Sequence, residues 1–130
     1  MIVYLSGSFS QQDYLRGIRE EIIKIGVTVL SGWLDERDGE DMSLWEGELN
    51  RDLHEIEETD LFIYDAYLKS IGKNFEMGYA YAMYKPVWIV GEITSPFQLV
   101  ATRRFKSWVA AIDSLRRMVE EADGYKRRRA

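Results

Sequence analysis

The chain has 130 residues, of which 46% are hydrophobic and 30% are charged, and its formal net charge is -5. This length supports one hydrophobic core and therefore one domain. The negative charge argues against a protein that mainly holds a nucleic-acid backbone, because that task needs a broad basic surface. The absence of cysteine excludes a disulfide framework, a thiolate metal site and a cysteine nucleophile, and it favours a reducing cytosol. We expect a cytoplasmic protein.

The first part of the chain alternates strand and helix patterns. The opening apolar run lacks a basic leader and is far shorter than a membrane span, so it predicts a first strand over Ile2 to Leu5 rather than a signal peptide. Apolar residues at helical spacing then predict a helix that ends at Gly26, and Val27 to Leu30 predicts a second strand. The acidic loop at 35–41 follows, and we expect it to be the most mobile element.

The second part continues this alternation. A helix is predicted from about Leu44 to Glu58, with Trp45, Leu49 and Ile56 on its apolar stripe and Asp52 on the same stripe. The remaining predicted elements are a strand at Leu61–Tyr64, a helix that contains Glu76 and ends before Pro86, a strand at Val87–Val90, an edge strand at Arg103–Phe105, a helix from Trp108, and a frayed basic tail at 123–130.

Strands and helices that alternate at these spacings predict a single α/β domain over residues 1–122. We expect a doubly wound, flavodoxin-like or Rossmann-like fold with a mainly parallel sheet of four to five strands and helices on both faces. The carboxyl ends of the strands then share one edge, where such folds bind ligands. The Tyr4 to Ser10 turn, Asp52 and the Ser70 to Glu76 turn converge there. No G-x-G-x-x-G motif and no metal-ligand spacing is visible, so we predict neither NAD nor a metal ion.

Two carboxylates stand out at this edge. The sequence places Glu76 in the first turn of its helix, where the helix dipole would keep it ionised and suited to act as a nucleophile or base. Asp52 lies on a core-facing stripe, where a charge needs a partner or a water-filled cleft. Two carboxylates in one cleft are the groups that glycosidic-bond chemistry uses. The alternatives are a surface acid that complements the dipole for Glu76 and a simple ion pair for Asp52.

The residues also resemble the nucleoside 2-deoxyribosyltransferase superfamily, which includes the 2'-deoxynucleoside 5'-monophosphate N-glycosidases. The likeness runs in order from residue 2 to about residue 112 and is carried by Tyr4–Phe9, Ser31–Leu34, Asn50–Leu53 with Asp60, Gly72–Ala80 and Lys85–Val87. It implies that Glu76 attacks C1' of a 2-deoxyribose and forms a covalent deoxyribosyl-enzyme. It further implies that Asp52 transfers protons to and from the base and that the Tyr4 hydroxyl orients Glu76.

The resemblance also implies a substrate-binding set, namely Gly7, Ser8, Phe9, Ser10, Ser70, Gly72, Asn74 and Ser95. Ser70 lies where the monophosphate hydrolases carry a phosphate-binding serine and the transferases an aspartate. Against the hydrolases, Ser10 replaces their arginine, and Lys73 and the serines would have to substitute for it. Ser95 lies near the position where a neighbouring transferase subunit supplies an asparagine. Trp33 either stacks on a substrate base or caps the core.

The sequence thus predicts an enzyme that cleaves or exchanges the N-glycosidic bond of 2'-deoxynucleosides or their 5'-monophosphates. Its expected partners are a small nucleoside or nucleotide, with no nucleic acid and no membrane. The resemblance implies a homo-oligomer. Candidate interface residues are Trp33, Trp45, Tyr79 and Phe97, and each is equally a candidate for the core. The alternatives are an inactive nucleotide-binding module of the same fold, suggested by Ser10 and Ser95, and a purely structural α/β domain.

Overall fold

The computed structural model describes residues 1–36 and 41–129. The strands are β1 (Ile2–Ser6), β2 (Thr28–Val29), β3 (Leu61–Asp65), β4 (Val87–Val90) and β5 (Arg103–Phe105). The helices are α1 (Gln12–Lys24), α2 (Trp45–Glu58), α3 (Ile71–Ala82) and α4 (Trp108–Arg129), with short 3-10 turns at Phe9–Gln11, Gly32–Asp35, Met42–Leu44 and Pro96–Val100. Most of the acidic loop for which we predicted mobility, residues 37–40, lies outside the described residues.

The described strands form one parallel sheet in the order β2-β1-β3-β4-β5. This is the flavodoxin-like order of a doubly wound fold, so the predicted fold class is confirmed. The strand order reverses between β1 and β3, which pair with Ser6 opposite Tyr64. Ligands of open α/β sheets bind outside the carboxyl ends of the strands at such a reversal. The candidate site is therefore expected at the ends of β1 and β3.

The core occupies both faces of the sheet. Every residue of β3 and β4 is buried, as is β1 from Val3 onwards, because helices cover both faces of a doubly wound sheet. Helix α4 adds Trp108, Ile112 and Leu115 to this core. None of the helices within residues 1–36 and 41–129 combines the length and the apolar character that a bilayer span requires.

Two elements differ from the sequence prediction. On α2 only Ile56 is buried, whereas Trp45 and Leu49 are exposed. The N-terminal half of α2 lies at the carboxyl edge of the sheet, where Leu49 borders a cavity instead of the core. Helix α4 continues to Arg129, so the structure describes residues 123–129 as helical, and the fraying that we expected there stays a prediction. Basic residues in a last helical turn interact favourably with the helix dipole.

Candidate active site

Strand β1 presents two hydroxyl groups to the Glu76 carboxylate. Tyr4 is fully buried and stacked on Phe62, with ring centroids 5.5 Å apart. Its hydroxyl donates a hydrogen bond to Glu76 Oε2 at 2.5 Å. Ser6 lies two residues further along the strand, hence on the same face, and donates to Glu76 Oε1 at 2.9 Å. One strand therefore holds both oxygens of the carboxylate.

Glu76 lies in the second turn of α3, because the helix begins at Ile71 after its N-cap residue Ser70. The prediction of a first-turn acid kept ionised by the dipole is therefore wrong, since the dipole effect falls off within the first turn. Burial instead raises the pKa of Glu76 to about 7. The hydrogen bond from Tyr4 lowers this pKa, and the negative charge of Asp52 raises it further. Near neutral pH, Glu76 is divided between its acid and carboxylate forms.

Asp52 projects from α2 towards the same cavity as Glu76. Burial raises the pKa of Asp52 to about 6, while the guanidinium of Arg51, which donates to Asp52 Oδ1 at 3.0 Å, lowers it. A carboxyl group with such a pKa can take up and release a proton near neutral pH. The ion pair that the sequence offered as an alternative explanation for Asp52 is thus present, and it coexists with a position at the cavity.

Arg51 joins carboxylates from two parts of the chain. Its guanidinium contacts Glu36, Asp52 and Glu55. Glu55 also accepts the backbone N–H of Gly32 at 3.1 Å. A Cβ atom at Gly32 would lie 3.0 Å from Arg51 Nε, so the chain packs closely on the guanidinium here. This arginine cluster, defined as Arg51 with its three carboxylates, holds the turn after β2 against α2.

Arg51→Gln is expected to raise the pKa of Asp52 above about 6, because it removes the positive charge that stabilises the Asp52 carboxylate. The negative charges of Glu36 and Glu55, which destabilise that carboxylate, remain. If the interaction between Arg51 and the Asp52 carboxylate contributes about 1.4 kcal/mol, its loss raises the pKa of Asp52 by about one. A ¹³C NMR titration of the aspartate side-chain carboxyl carbons measures this pKa. Arg51→Lys is the matched control, since it keeps the charge and should keep most of the lowering. An Asp52 titration that is identical in Arg51→Gln and wild type would contradict this role.

The carboxylates border a cavity of about 220 Å³, which we call the Glu76 cavity. Residues that the sequence analysis assigned to the site form most of its lining, namely Gly7, Phe9, Trp33, Asp52, Ser70, Gly72 and Glu76. The aromatic side chains of Phe9, Trp33 and Phe75 provide apolar walls that suit a planar ring. The arrangement can hold a small aromatic ligand beside two carboxyl groups that titrate near neutral pH.

Trp33 serves both the core and the Glu76 cavity. It is buried, and its indole N–H donates to the backbone oxygen of Leu5 at 2.8 Å. The same ring forms part of the cavity wall. Trp33 therefore caps the core, and its stacking on a substrate base stays a prediction. Of the two roles that the sequence left open for Trp33, interface or core, its burial supports the core.

Four predicted binding residues, Ser8, Ser10, Asn74 and Ser95, are not part of the described lining of the Glu76 cavity. The Ser8 and Ser10 hydroxyl oxygens lie 3.0 Å from each other. Asn74 precedes Glu76 by two residues, which is about 200° around a helix, and so faces elsewhere. It accepts a hydrogen bond from the Tyr64 hydroxyl at 2.8 Å. With Ser95 it borders a second cavity of about 500 Å³, which also includes Ser70.

Lys73 does not present a free cation to the Glu76 cavity, although it contributes to the lining. Its side chain is buried, and its ammonium donates to the backbone oxygens of Asp65, at 2.7 Å, and of Leu68. Burial lowers the pKa of Lys73. Its charge therefore holds the loop after β3, which weakens the suggestion that it replaces the missing arginine. In the described part of the chain, no group of three or more histidines and acids is arranged to hold a metal ion.

Three residues of the site, Ser6, Glu36 and Arg51, are not among those that the sequence predicted. Ser6 has a usable signal in the sequence, because residues two apart on a strand share a face and Tyr4 is a predicted site residue. Glu36 and Arg51 have none, since their contact depends on how the turn after β2 packs against α2. Local patterns do not contain that information.

Several solved structures have a similar fold. The 2-deoxyribosyltransferase from Bacillus psychrosaccharolyticus is 20% identical with a TM-score of 0.72, over 86% of this chain and 90% of that chain. The Clostridium botulinum CMP N-glycosidase is 18% identical with a TM-score of 0.61, over 88% and 98%. A conserved protein from Enterococcus faecalis V583 is 12% identical with a TM-score of 0.74, over 91% and 98%. At these identities the similarity concerns the fold.

The sequence itself identifies the family. No curated protein sequence shows significant similarity to the chain. The profile of the nucleoside 2-deoxyribosyltransferase family, however, matches residues 3–125, a range that contains Tyr4, Asp52 and Glu76. This range covers β2 to β5, all of β1 except Ile2, and the residues around the Glu76 cavity. The chain therefore belongs to the nucleoside 2-deoxyribosyltransferase family.

Proposed function

We propose that this protein is an enzyme that cleaves the N-glycosidic bond of a 2'-deoxynucleoside and transfers the deoxyribosyl group through a covalent intermediate on Glu76. One observation carries the proposal: the Glu76 carboxylate, bonded by Tyr4 and Ser6, borders the same cavity as Asp52. A nucleophilic carboxylate and a second carboxyl group for proton transfer are what a retaining mechanism requires. Membership of the family supports the same class of reaction.

The reaction proceeds in two displacements. In the first, ionised Glu76 attacks C1', the bond from C1' to the base nitrogen breaks, and the acid form of Asp52 donates a proton to the departing base. In the second, an incoming base or water attacks C1', the Asp52 carboxylate accepts its proton, and the bond to Glu76 breaks. The pKa of about 6 at Asp52 and of about 7 at Glu76 make the required forms accessible near neutral pH.

We propose a substrate with a free 5'-hydroxyl rather than a 5'-phosphate. Glu36, Asp52 and Glu76 border the cavity. The nearby cations are already engaged, Arg51 by carboxylates and Lys73 by backbone oxygens. A phosphate dianion would meet this negative charge without a free guanidinium to bind it. Ser70, which borders the cavity, is a neutral donor that can bond a hydroxyl group.

We also propose that the chain forms a homo-oligomer through an apolar surface on α3 and the turn at Pro96–Val100. Ile71, Phe75 and Phe97 are exposed there by 91%, 54% and 68% and border a further cavity of about 350 Å³. Phe97 was one of the predicted interface residues, whereas Tyr79 is partly buried and bonds Glu57. Because Phe75 also lines the Glu76 cavity, a second copy on this surface would adjoin the site.

Product analysis tests the proposed function. The protein is incubated with 2'-deoxynucleosides, their 5'-monophosphates and ribonucleosides, with and without a second free base, and the products are separated by chromatography. We expect a new deoxynucleoside when a second base is present, and a kcat/KM at least about tenfold higher for deoxynucleosides than for monophosphates, equivalent to about 1.4 kcal/mol.

Faster cleavage of monophosphates would overturn the proposal about the 5' group. If none of these substrates gives free base or a new nucleoside, the enzymatic function itself is wrong. Thermal stabilisation by nucleosides without turnover would then identify the chain as a binding module.

A further inference from the structure

Ser6 is a buried polar residue at the end of an otherwise apolar strand segment. It is 0% exposed and follows Leu5, which is also 0% exposed. A buried hydroxyl needs a hydrogen-bond partner, and the partner of Ser6 is Oε1 of Glu76 at 2.9 Å. Tyr4 bonds the other oxygen, Oε2, from the same face of β1. The strand thus supplies one hydroxyl donor to each oxygen of the carboxylate.

We propose that Ser6 is a positioning residue for Glu76: together with Tyr4 it fixes the orientation of the carboxylate and directs the remaining lone pairs towards the cavity. The inference rests on the proposed role of Glu76 as nucleophile. Tyr4 and Ser6 lie in the sheet and outside the described lining of the Glu76 cavity, whereas Glu76 belongs to that lining. A carboxylate oxygen has two acceptor sites. One hydroxyl bond per oxygen therefore leaves each oxygen able to attack C1'.

The charged and titratable groups around Glu76 make the Ser6 hydroxyl important for ionisation. Among the described residues, the titratable groups that act on its pKa are Tyr4 on β1, Asp52 on α2 and Glu36 in the segment after β2. Lys73 of its own helix also lines the cavity, but its ammonium is bonded to backbone oxygens. The negative charges of Asp52 and Glu36 disfavour the Glu76 carboxylate, whereas the hydrogen bonds from Tyr4 and Ser6 favour it. Without Ser6, Tyr4 is the remaining hydroxyl donor to the carboxylate.

Ser6→Ala tests this inference in the full-length protein. We expect the pKa of Glu76 to rise by about one pH unit, the shift that corresponds to a lost hydrogen bond of about 1.4 kcal/mol. A ¹³C NMR titration of the glutamate carboxyl carbons measures the pKa without substrate. The proposed mechanism needs Glu76 ionised and Asp52 protonated, so a higher Glu76 pKa should lower kcat/KM about tenfold at pH 6 and much less at pH 9.

Ser6→Cys is the conservative variant, because a thiol of similar size is a weaker donor, and it should give an intermediate shift. If the role of Ser6 were purely structural, Ser6→Ala would lower kcat/KM equally at every pH and leave the pKa of Glu76 unchanged. That result would overturn the inference. If no substrate reacts but the titration still moves in both variants, the role of Ser6 stands and the proposed function fails. The two failures are therefore distinguishable.

Discussion

Glu76→Gln is expected to lower kcat/KM for deoxyribosyl transfer by about 10⁴-fold or more, because an amide cannot form the covalent ester with C1'. Glutamine keeps the size of the side chain: one of the Tyr4 and Ser6 hydroxyls can donate to its amide oxygen, and the other can accept a hydrogen bond from its N–H. Rates are measured by chromatography of the released base. Wild-type protein quenched in acid during turnover should also carry a deoxyribosyl group on the peptide that contains Glu76.

The absence of that adduct in wild type, together with substantial activity in Glu76→Gln, would remove Glu76 as the nucleophile. The comparison with Tyr4→Phe separates attack from orientation. Tyr4→Phe keeps the carboxylate and loses one of its two hydroxyl donors. It should therefore reduce the rate far less than Glu76→Gln does.

The same Glu76→Gln protein should unfold less readily than wild type at alkaline pH. Burial raises the folded-state pKa of Glu76 from an ordinary 4.5 to about 7, so the folded protein holds this proton more tightly than the unfolded chain. The associated stability is complete below about pH 4.5 and is lost as the pH rises through 7. Urea unfolding should show a gain of about 1–3 kcal/mol at pH 8 and a small difference at pH 5. A gain that does not depend on pH would contradict the shifted pKa.

Asp52→Asn is expected to lower kcat/KM for ordinary deoxynucleosides by about 10²–10⁴-fold, because asparagine cannot protonate the departing base. A substrate whose leaving group departs as a stable anion, such as p-nitrophenyl 2-deoxyriboside, needs no proton in the first displacement, so its kcat/KM for release of p-nitrophenol should fall much less. The experiment compares the two substrates in wild type and in the variant. Glu55→Gln is the matched control, since it removes a carboxylate from the arginine cluster without removing one from the cavity lining.

Equal losses with both substrates would show that Asp52 does not act as the proton donor. The pH profiles also carry information, because Asp52 and Glu76 influence each other and therefore titrate as a pair. The two apparent pKa values of wild type belong to that pair. In Asp52→Asn a single acid limb should remain, and it should lie at lower pH than the Glu76 pKa of about 7, since one opposing charge is gone.

Much of the fold followed from local patterns. The strands and helices were predictable because apolar residues repeat with a period of two or 3.6, and that repeat depends only on neighbouring residues. The parallel sheet followed from the alternation of strand and helix. The prediction for α2 failed for a physical reason: Trp45 and Leu49 fit an apolar stripe, but the first part of the helix lies at the edge of the sheet and not on the core.

The candidate site divides in the same way. The sequence by itself determined that Tyr4, Asp52 and Glu76 meet at the carboxyl edge, because strand order and right-handed crossovers leave one edge for them. Only the tertiary structure decided the raised pKa of Glu76, the arginine cluster and the hydrogen bond from Ser6 to Glu76. These depend on desolvation and on charges brought together from distant parts of the chain, and such through-space quantities have no local signature in a sequence.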